Sequence, residues 1–391
     1  MPKIVRSDRL RIEAVPVGDL YDFACTFFER SEGQVIAPIT EAIALSHSKN
    51  PHAQPDDVGL LVAWVGDLCV GHQGLLPVRV GSPHGQGRAY WCTALYVLPE
   101  YRTKLVAVKL VKEVLALDVD CVLNHFTEES GRLFSALRFS PIAPLRYAHL
   151  RFDRLDVLGE VFYLLHKRQG ERRALGALAE AGVRLCGATS YALTRSLYFA
   201  LLRSRIREEL RGIEFREVDR VRAPRAESSQ DGTTHFPRGA DDVNWTLEYP
   251  WTRDSGEPTR PPYYFPELIP TYRNIAVEVD NRRGDVGFVL MTLVGNGLRS
   301  NLKVRDFQLP EGVDSSAVFW IACEYADRLN ADLVELPEVL APLIDQLPLG
   351  SLLRKDLTRD YLFHPRRSDS LLATFSEDAS PSLTDGDTAF F

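Results

Sequence analysis

The chain has 391 residues, a length at which a single hydrophobic core stops growing, so two domains are expected. Hydrophobic residues make up 45% and charged residues 25%, as in globular proteins, and no run of about 20 apolar residues predicts a membrane span. A net charge of −7 excludes general electrostatic attraction to nucleic acid. The first residues lack an apolar core after their basic positions, which predicts no signal peptide and a cytoplasmic protein.

The six cysteines are spread along the chain, and no two have the spacing of a metal knuckle. Several lie in apolar runs, as Cys69 and Cys121 do. We therefore predict buried free thiols in a reducing compartment, and no bound metal.

Strands and helices alternate in the prediction for residues 10–152. Apolar residues at a period of two predict the strands Leu10–Val15, Leu60–Val65, Leu68–Val80, Arg88–Leu98, Cys121–Phe126 and Arg146–Phe152. A period near 3.6 predicts helices over Asp19–Glu29, Ile39–Ser46 and Glu129–Leu137, and a further helix after Pro99 with Leu105, Val108, Val111 and Leu115 on one face. Gly66 and Asp67 predict a tight hairpin turn.

A helical connector is predicted for residues 153–211. One apolar stripe at helical spacing consists of Leu158, Val161, Phe162 and Leu165, and a second of Leu193, Leu197, Leu201 and Leu202. Gly182 and Gly187 lie between the stripes and predict breaks, so we expect two or three helices.

The second half, residues 212–368, repeats the order of elements of the first. The predicted strands are Ile213–Val218, Ile275–Val279, Val286–Val294, Leu302–Leu309 and Leu333–Leu336, with a helix over Ala317–Leu329. Segments rich in Pro, Gly, Ser and charge, 222–239 and 253–262, are predicted to be surface loops. The acidic segment 369–391 is expected to be a disordered tail.

A strand, a basic turn and a helix follow one another in the first half. The strand Ala94–Val97 ends before Pro99, which cannot donate to a sheet and should let the strand leave its neighbour. The basic turn Tyr101–Lys104 opens a helix whose first amides are unpaired and whose N-terminus is electropositive. The segment predicts a pyrophosphate site, with Arg102 and Lys104 as solvated residues of a helix start as the alternative.

The segment Val97–Ala107 resembles the cofactor motif of the GNAT (Gcn5-related N-acetyltransferase) superfamily, V-x-P-x-Y/F-R followed by G-x-G-x-G/A. Thr103 and Leu105 stand where that family usually has glycine. The resemblance implies an α/β (α+β) fold with two acyl-CoA N-acyltransferase-like mixed sheets, flanking helices and a helical connector, the first lobe covering residues 1–152. It also implies that acyl-CoA is held by Tyr96, Val97, Arg102, Thr103, Lys104, Leu105, Val106 and Ala107.

Two further positions depart from the same family pattern. Leu133–Phe139 resembles the element L-Y-x-x-L-G-F, and Phe134 stands where the family has the tyrosine that protonates the departing thiolate. Ala94 stands where an acidic residue is common. In the second half the equivalent turn, Asp306–Asp314, is acidic, so we expect a degenerate second lobe that keeps the fold and binds no CoA.

Aminolysis of a thioester needs a base, and three residues are candidates for proton transfer. His72 follows Val70-Gly71 on a predicted strand, His125 ends a buried strand, and Tyr96 shares a strand face with Tyr90. Each has an ordinary packing role as its alternative. Glu128 and Glu129 are explained by the preference for acids at helix starts.

Two patterns bear on the acceptor and on partners. The pair Asn124-His125 and the aromatic cluster Trp245, Tyr249 and Trp251 suit a sugar or amine acceptor, although aromatic rings also suit an interface. A basic amphipathic pattern in the connector allows peripheral membrane contact, with packing between lobes as the alternative. Its arginines are Arg195, Arg203, Arg205, Arg207 and Arg211.

The sequence thus predicts an N-acyltransferase that uses acetyl-CoA or another acyl-CoA and acts by direct attack in a ternary complex. The expected acceptor is an amine or amino sugar, in the setting of bacterial polysaccharide metabolism. Two alternatives stay open. One is a Fem-like transferase that uses aminoacyl-tRNA, which the acidic net charge disfavours. The other is a non-catalytic interaction protein that retains the fold.

Overall fold

A computed structural model describes residues 9–82, 85–156, 177–222, 234–281, 285–367, 370 and 382–383. These residues form two compact units, and neither is contiguous in sequence. The first consists of the described parts of Met1–Leu145, Val218–Ala276 and Thr358–Phe391, and the second of those of Arg146–Glu217 and Val277–Leu357. The predicted domains, 1–152, 153–211 and 212–368, are each continuous in sequence, so they differ from these two units.

Two mixed sheets of seven described strands each confirm the predicted fold class. The first sheet has the order β1-β2-β3-β4-β5-β14-β6, with β1 Leu10–Pro16, β2 Val58–Val65, β3 Leu68–Ser82, β4 Gly85–Val97, β5 Asp120–Asn124, β6 Ser140–Pro141 and β14 Tyr361–His364. The second has the order β13-β7-β12-β11-β10-β9-β8, with β7 Leu145–Arg151, β8 Glu214–Val218, β9 Thr271–Asp280, β10 Val286–Gly295, β11 Ser300–Gln308, β12 Leu333–Pro337 and β13 Arg354–Arg359.

Helices flank both sheets. In the described residues they are α1 Leu20–Glu29, α2 Glu41–Ser48, α3 Val106–Ala116, α4 Glu128–Ala136, α5 Ala177–Glu209, α6 Ala240–Glu248, α7 Ser316–Arg328, α8 Ala341–Ile344 and α9 Gly350–Leu353. The strands and helices predicted for the two halves are present within a few residues of their expected bounds. The helices α6, α8 and α9 and the strands β6, β13 and β14 had no predicted range.

One strand from each half of the sequence joins the sheet of the other half. The predicted strand Arg146–Phe152 is β7, which pairs with β12 in the second sheet, with Glu335 opposite His149. At the other end of the sequence, β14 pairs with β5 in the first sheet, with Tyr361 opposite Asn124. The first sheet is therefore completed by residues near the C-terminus.

The helix α3 buries a face that differs from the predicted one. Its buried residues are Val106, Leu110, Val111 and Val114. Leu105, which was expected on that face, is 61% exposed and precedes the helix.

The connector contains one helix of 33 residues, α5, which runs through both Gly182 and Gly187 rather than breaking there. The first predicted stripe, Leu158 to Leu165, lies outside the described residues. Of the second stripe only Leu202 is buried, whereas its other three leucines are exposed. The buried face is instead formed by Arg195, Tyr198, Phe199, Leu202 and Ile206.

Most of the predicted tail also lies outside the described residues. Two of its residues are an exception, because the Tyr361 hydroxyl donates to the Ser382 carbonyl at 3.1 Å and Leu383 is buried. These two residues are therefore packed, whereas the whole tail was expected to be disordered.

Candidate functional site

The first sheet splits between β4 and β5. These parallel strands pair only from Ala89 and Asp120 to Trp91 and Val122, although both continue further. We call the gap between Cys92–Val97 of β4 and the end of β5 the fork. A fork in a sheet leaves backbone groups unpaired on its two edges, so an extended ligand can pair with them.

A β-bulge in β4 accompanies the separation. Thr93 pairs with Gly74 and Tyr96 with His72, so two residues of β4 lie opposite one of β3. Ala94, within the bulge, has a φ of 49°, in the left-handed region. Bulges bend the strand that carries them. We predicted that Pro99 causes the divergence, but the strands part before the bulge, several residues ahead of the proline.

The backbone of Val97 faces the fork. Leu98 N–H donates to Val70 of β3 at 2.9 Å, and successive strand residues direct their peptide groups to opposite sides, so Val97 faces away from β3. Its carbonyl accepts a hydrogen bond from Arg102 Nε at 3.2 Å. The carbonyl of Tyr96 lies on the β3 side, 2.8 Å from where a Cβ on Gly71 would stand. Val97, rather than Tyr96, therefore presents its backbone to the fork.

The basic turn is a 3₁₀ helix, Pro99–Lys104, that ends directly before α3. Lys104 Nζ lies 4.4 Å from the ring centroid of Tyr101, and Thr103 is exposed. Among the residues that the structure describes, no side chain caps the N-terminus of α3. The amides of Val106 and Ala107 are thus available to an anion, in the electropositive field of the helix end.

Leu105 adopts the backbone conformation for which glycine is suited. Its φ of 59° is left-handed, which costs a residue with a Cβ roughly 1–2 kcal/mol. The position that carries glycine in the GNAT motif thus retains that geometry with a leucine.

We expect Leu105→Gly to raise the free energy of unfolding by about 0.5–1 kcal/mol, because relief of the left-handed strain exceeds the entropic cost of glycine. Urea denaturation measures the change. Leu298→Gly is the control, because Leu298 is also exposed but is not among the residues with positive φ. Equal effects of the two substitutions would contradict the strain argument.

The equivalent helix of the second sheet has its N-terminus occupied by the chain itself. The Asp314 carboxylate accepts from Ser316 N–H at 2.8 Å at the start of α7. The hydrogen bonds from Ser316 lower the pKa of Asp314. A carboxylate of the chain itself therefore accepts from the first amide of α7, in contrast to the start of α3.

His72 is fully buried beside the fork, in a box of aromatic rings. Its ring lies 6.0 Å from that of Tyr96, 6.0 Å from that of Tyr263 and 6.5 Å from that of Phe265. Neither ring nitrogen has a hydrogen-bond partner within the described residues. Burial lowers the pKa of His72 to about 3, so the imidazole is neutral near pH 7.

The segment Tyr263–Phe265 was missed by the sequence analysis. It directly follows the predicted surface loop 253–262 and was given no structure or role, yet the Tyr264 ring stacks on that of Tyr96 with centroids 4.0 Å apart. Three consecutive aromatic residues between prolines were the available signal, because an exposed loop has no need of such a run.

Two buried histidines should make the protein sensitive to acid. Burial lowers the pKa of both His47 and His72 from 6.5 to about 3, so only the unfolded chain binds these protons between those values. Stability is therefore lost as the pH falls from 6.5 towards 3. At pH 5 we expect a loss of about 2 kcal/mol for each histidine. Urea denaturation at pH 7 and pH 5 measures it, and the double variant H47L/H72L should retain most of its stability at pH 5.

The other predicted site residues lie at different distances from the fork. His125 is exposed, has a φ of 51° and directly follows β5 at the edge of the fork. Asn124, at the end of β5, is buried, and its amide atoms have no hydrogen-bond partner in the described chain. Tyr90 donates to Asp57 at 3.2 Å, and burial raises its pKa, so it is a structural tyrosine. Phe134 is buried against Phe139.

The predicted aromatic cluster of the acceptor does not form one stacking surface. Trp245 Nε1 donates to the Ser46 carbonyl at 2.8 Å, and Tyr249 donates to Glu248 at 2.7 Å. Trp251 is buried, with its ring 5.2 Å from that of His47. The three rings have separate packing roles.

The basic face of the connector is in large part a packing face within the second unit. Arg195 Nη2 donates to Ala326 at 2.6 Å, and Arg203 forms an ion pair with Asp327 at 2.8 Å. Arg205 donates to Gln346 at 2.6 Å. These contacts give three of the five arginines packing roles within the second unit. In the described part of the chain, no helix combines the length and apolarity needed to cross a bilayer.

No group of three or more His, Cys, Asp or Glu in the described residues has the arrangement of a metal site. No family model matches the chain. No curated protein matches it either.

Solved structures do resemble it. A GCN5-related N-acetyltransferase from Anabaena variabilis has a TM-score of 0.46 at 12% identity, over 92% of this chain and 73% of that one. A probable N-acyltransferase from Enterococcus faecalis has a TM-score of 0.48 at 11% identity, over 95% and 74%. A tandem GNAT protein of the clavulanic acid pathway has a TM-score of 0.42 at 12% identity, over 93% and 100%. The chain is similar in fold to GNAT proteins. Identities this low describe the fold and not the activity.

Proposed function

We propose that the protein is an acyl-CoA-dependent N-acyltransferase. The observation that carries the proposal is the continuous path from the fork to the uncapped N-terminus of α3, with the basic turn Pro99–Lys104 between them. A CoA thioester has an extended pantetheine arm with amide groups at one end of such a path and a pyrophosphate at the other. A strand edge and a helix N-terminus match these two parts.

Different residues along this path would bind different parts of the CoA thioester. The amides of Val106 and Ala107 with Thr103 and Lys104 would hold the pyrophosphate, and Arg102 would contribute charge while it fixes the Val97 carbonyl. The Val97 N–H, and the unpartnered amide of Asn124, would hold the pantetheine arm. The backbone of Leu105 connects turn and helix.

The transfer itself is a direct attack in a ternary complex. The amine nitrogen bonds to the thioester carbonyl carbon, the carbon–sulfur bond breaks, and CoA leaves as a thiolate that takes up a proton. The amine loses a proton in the same exchange. His72 beside Tyr96 and exposed His125 at the edge of the fork are the two candidates to accept the amine proton. Tyr96 would return a proton to the thiolate, since Phe134 has none to give.

We further propose acetyl as the acyl group and a small amine, amino sugars included, as the acceptor. A cytoplasmic location fits the acyl-CoA donor. We do not extend the proposal to a membrane-bound saccharide, because three of the five connector arginines contact the second unit.

Calorimetric titration with acetyl-CoA tests the proposal. We expect binding to the wild-type protein and a roughly 10–100-fold weaker affinity for Arg102→Ala, the loss typical of a hydrogen bond to a charged group. Arg132→Ala is the control, because Arg132 is exposed on α4 and pairs only weakly with Glu128 at 3.9 Å. Absence of heat and of a thermal shift at millimolar acetyl-CoA would overturn the proposal.

A further inference from the structure

The first unit contains a cavity of about 280 Å³ between the start of α2 and the segment 251–267. This volume is close to the lower end of the roughly 300–1,000 Å³ of small-molecule sites. Phe28 and buried Trp251 form its apolar part. Arg253, Arg260, Glu41 and Glu257 bring charges of both signs to it. A small ligand with an apolar middle and charged ends therefore matches the walls.

Hydrogen bonds within the segment 251–267 hold the cavity walls in place. The Arg253 N–H donates to the Glu267 carbonyl at 3.0 Å, and the Glu267 carboxylate accepts from Thr259 N–H at 2.6 Å. Arg253 Nη2 donates to the backbone carbonyl of Glu257 at 2.8 Å. The Glu267 carboxylate thus serves as an acceptor within the segment. The Arg253 side chain is held in place through Nη2, and its other guanidinium N–H groups can donate to a ligand.

Three charged side chains of the cavity are without a hydrogen-bond or ion-pair partner in the described part of the chain. No hydrogen bond or ion pair joins the side chains of Arg260, Glu41 or Glu257 to the described residues. Two guanidinium groups at one cavity suit a carboxylate, which accepts two parallel hydrogen bonds from an arginine. The carboxylates of Glu41 and Glu257 favour an ammonium group approaching along the rim. Together they favour a ligand that is both an acid and an amine.

The cavity segment continues directly to the fork. Four residues lead from Arg260 to Tyr264, a chain length that spans at most about 14 Å. Along it the Pro262 carbonyl accepts from Ala37 N–H at 3.0 Å, and the Tyr264 ring stacks on Tyr96. The chain therefore keeps Arg260 within about 14 Å of Tyr264, the residue whose ring contacts Tyr96.

From these observations we propose that the cavity binds the carboxylate of a small linear amino acid, whose distal amine is the acyl acceptor. The inference rests on the proposed function and deepens it by naming the acceptor class. Arg260 is then a specificity-determining residue, and the segment Tyr263–Phe265 guides the amine from the cavity to the fork.

Three amines of equal length test this: 6-aminohexanoate, hexylamine and 1,6-diaminohexane, each with acetyl-CoA and with thiol release as the readout. We expect kcat/KM for 6-aminohexanoate to exceed that for hexylamine at least tenfold. Arg260→Gln should remove most of this preference through KM, and Arg260→Glu should turn it towards 1,6-diaminohexane. Arg132→Gln is the control and should keep the wild-type ranking.

Calorimetry with 6-aminohexanoate alone gives a second readout that needs no turnover, with binding expected for the wild type and at least tenfold weaker binding for Arg260→Gln. Equal use of the three amines, or an unchanged ranking in Arg260→Glu, would overturn the inference. So would equal binding of 6-aminohexanoate by wild type and Arg260→Gln, or none by either. Acetyl-CoA binding separates the two proposals: its absence removes the acyltransferase, whereas binding without a carboxylate preference removes only the acceptor class.

Discussion

His72→Leu should stabilise the protein and slow acyl transfer. The buried imidazole has two polar atoms without partners in the described chain, and such burial costs about 1–3 kcal/mol that a leucine does not incur. We expect the free energy of unfolding to rise by about 1–2 kcal/mol and the melting temperature by a few degrees. If His72 is the general base, kcat should fall by about 10²–10⁴-fold.

His47→Leu is the matched control for this substitution. His47 is also fully buried, its ring nitrogens likewise have no hydrogen-bond partner among the described residues, and burial lowers its pKa to the same value of about 3. It lies on α2, and its ring neighbour is Trp251. We expect the same gain in stability with kcat unchanged. Full activity of His72→Leu would move the proton transfer to His125, and lower stability would show that the imidazole is satisfied by ordered water.

A buried polar group that lowers stability is expected where function requires it. The sequence indicated His72 as a candidate through its place after Val70-Gly71, but burial and the lack of partners could not be predicted. They depend on Tyr263 and Phe265, which are almost 200 residues away along the chain. No local pattern specifies which loop covers a strand.

The strands were predictable because alternation is a local property, and the motif from Val97 to Ala107 was predictable because its turn and helix are adjacent. Which strands pair with each other could not be predicted in this way. The strand β7 has the same alternation whichever sheet it joins, so its pairing with β12 left no trace in the pattern. The same holds for β14, which completes the first sheet from the far end of the chain.

The prediction of which helix face is buried was wrong for a related reason. In α5 the leucines at positions 193, 197 and 201 have ideal helical spacing but are exposed. Arg195 is buried instead, since its guanidinium donates to backbone carbonyls of the second unit and lies 4.5 Å over the Phe199 ring. The spacing of apolar residues identifies a helix. It does not determine the buried face, because an arginine whose donors are all hydrogen-bonded can also be buried.

Ala107→Glu should strengthen the α3 helix and prevent acyl-CoA from binding. An acid in the first turn of an uncapped helix gains about 0.3–1 kcal/mol from the helix dipole. The same carboxylate would occupy the amides proposed for the pyrophosphate, as Asp314 occupies those of α7. We expect acetyl-CoA affinity to fall at least 30-fold by calorimetry while urea denaturation shows equal or higher stability.

Ala107→Gln is the isosteric control, because it adds the same bulk without the charge and should retain most of the affinity. Equal losses in both variants would indicate a steric effect, and unchanged affinity in both would place the pyrophosphate elsewhere than at α3. A protein that keeps the fold for interaction alone has no use for an uncapped, cation-flanked helix start, since an acid there would stabilise it at no cost to binding. The charge-specific loss in Ala107→Glu is therefore the result that separates a cofactor site from a retained scaffold.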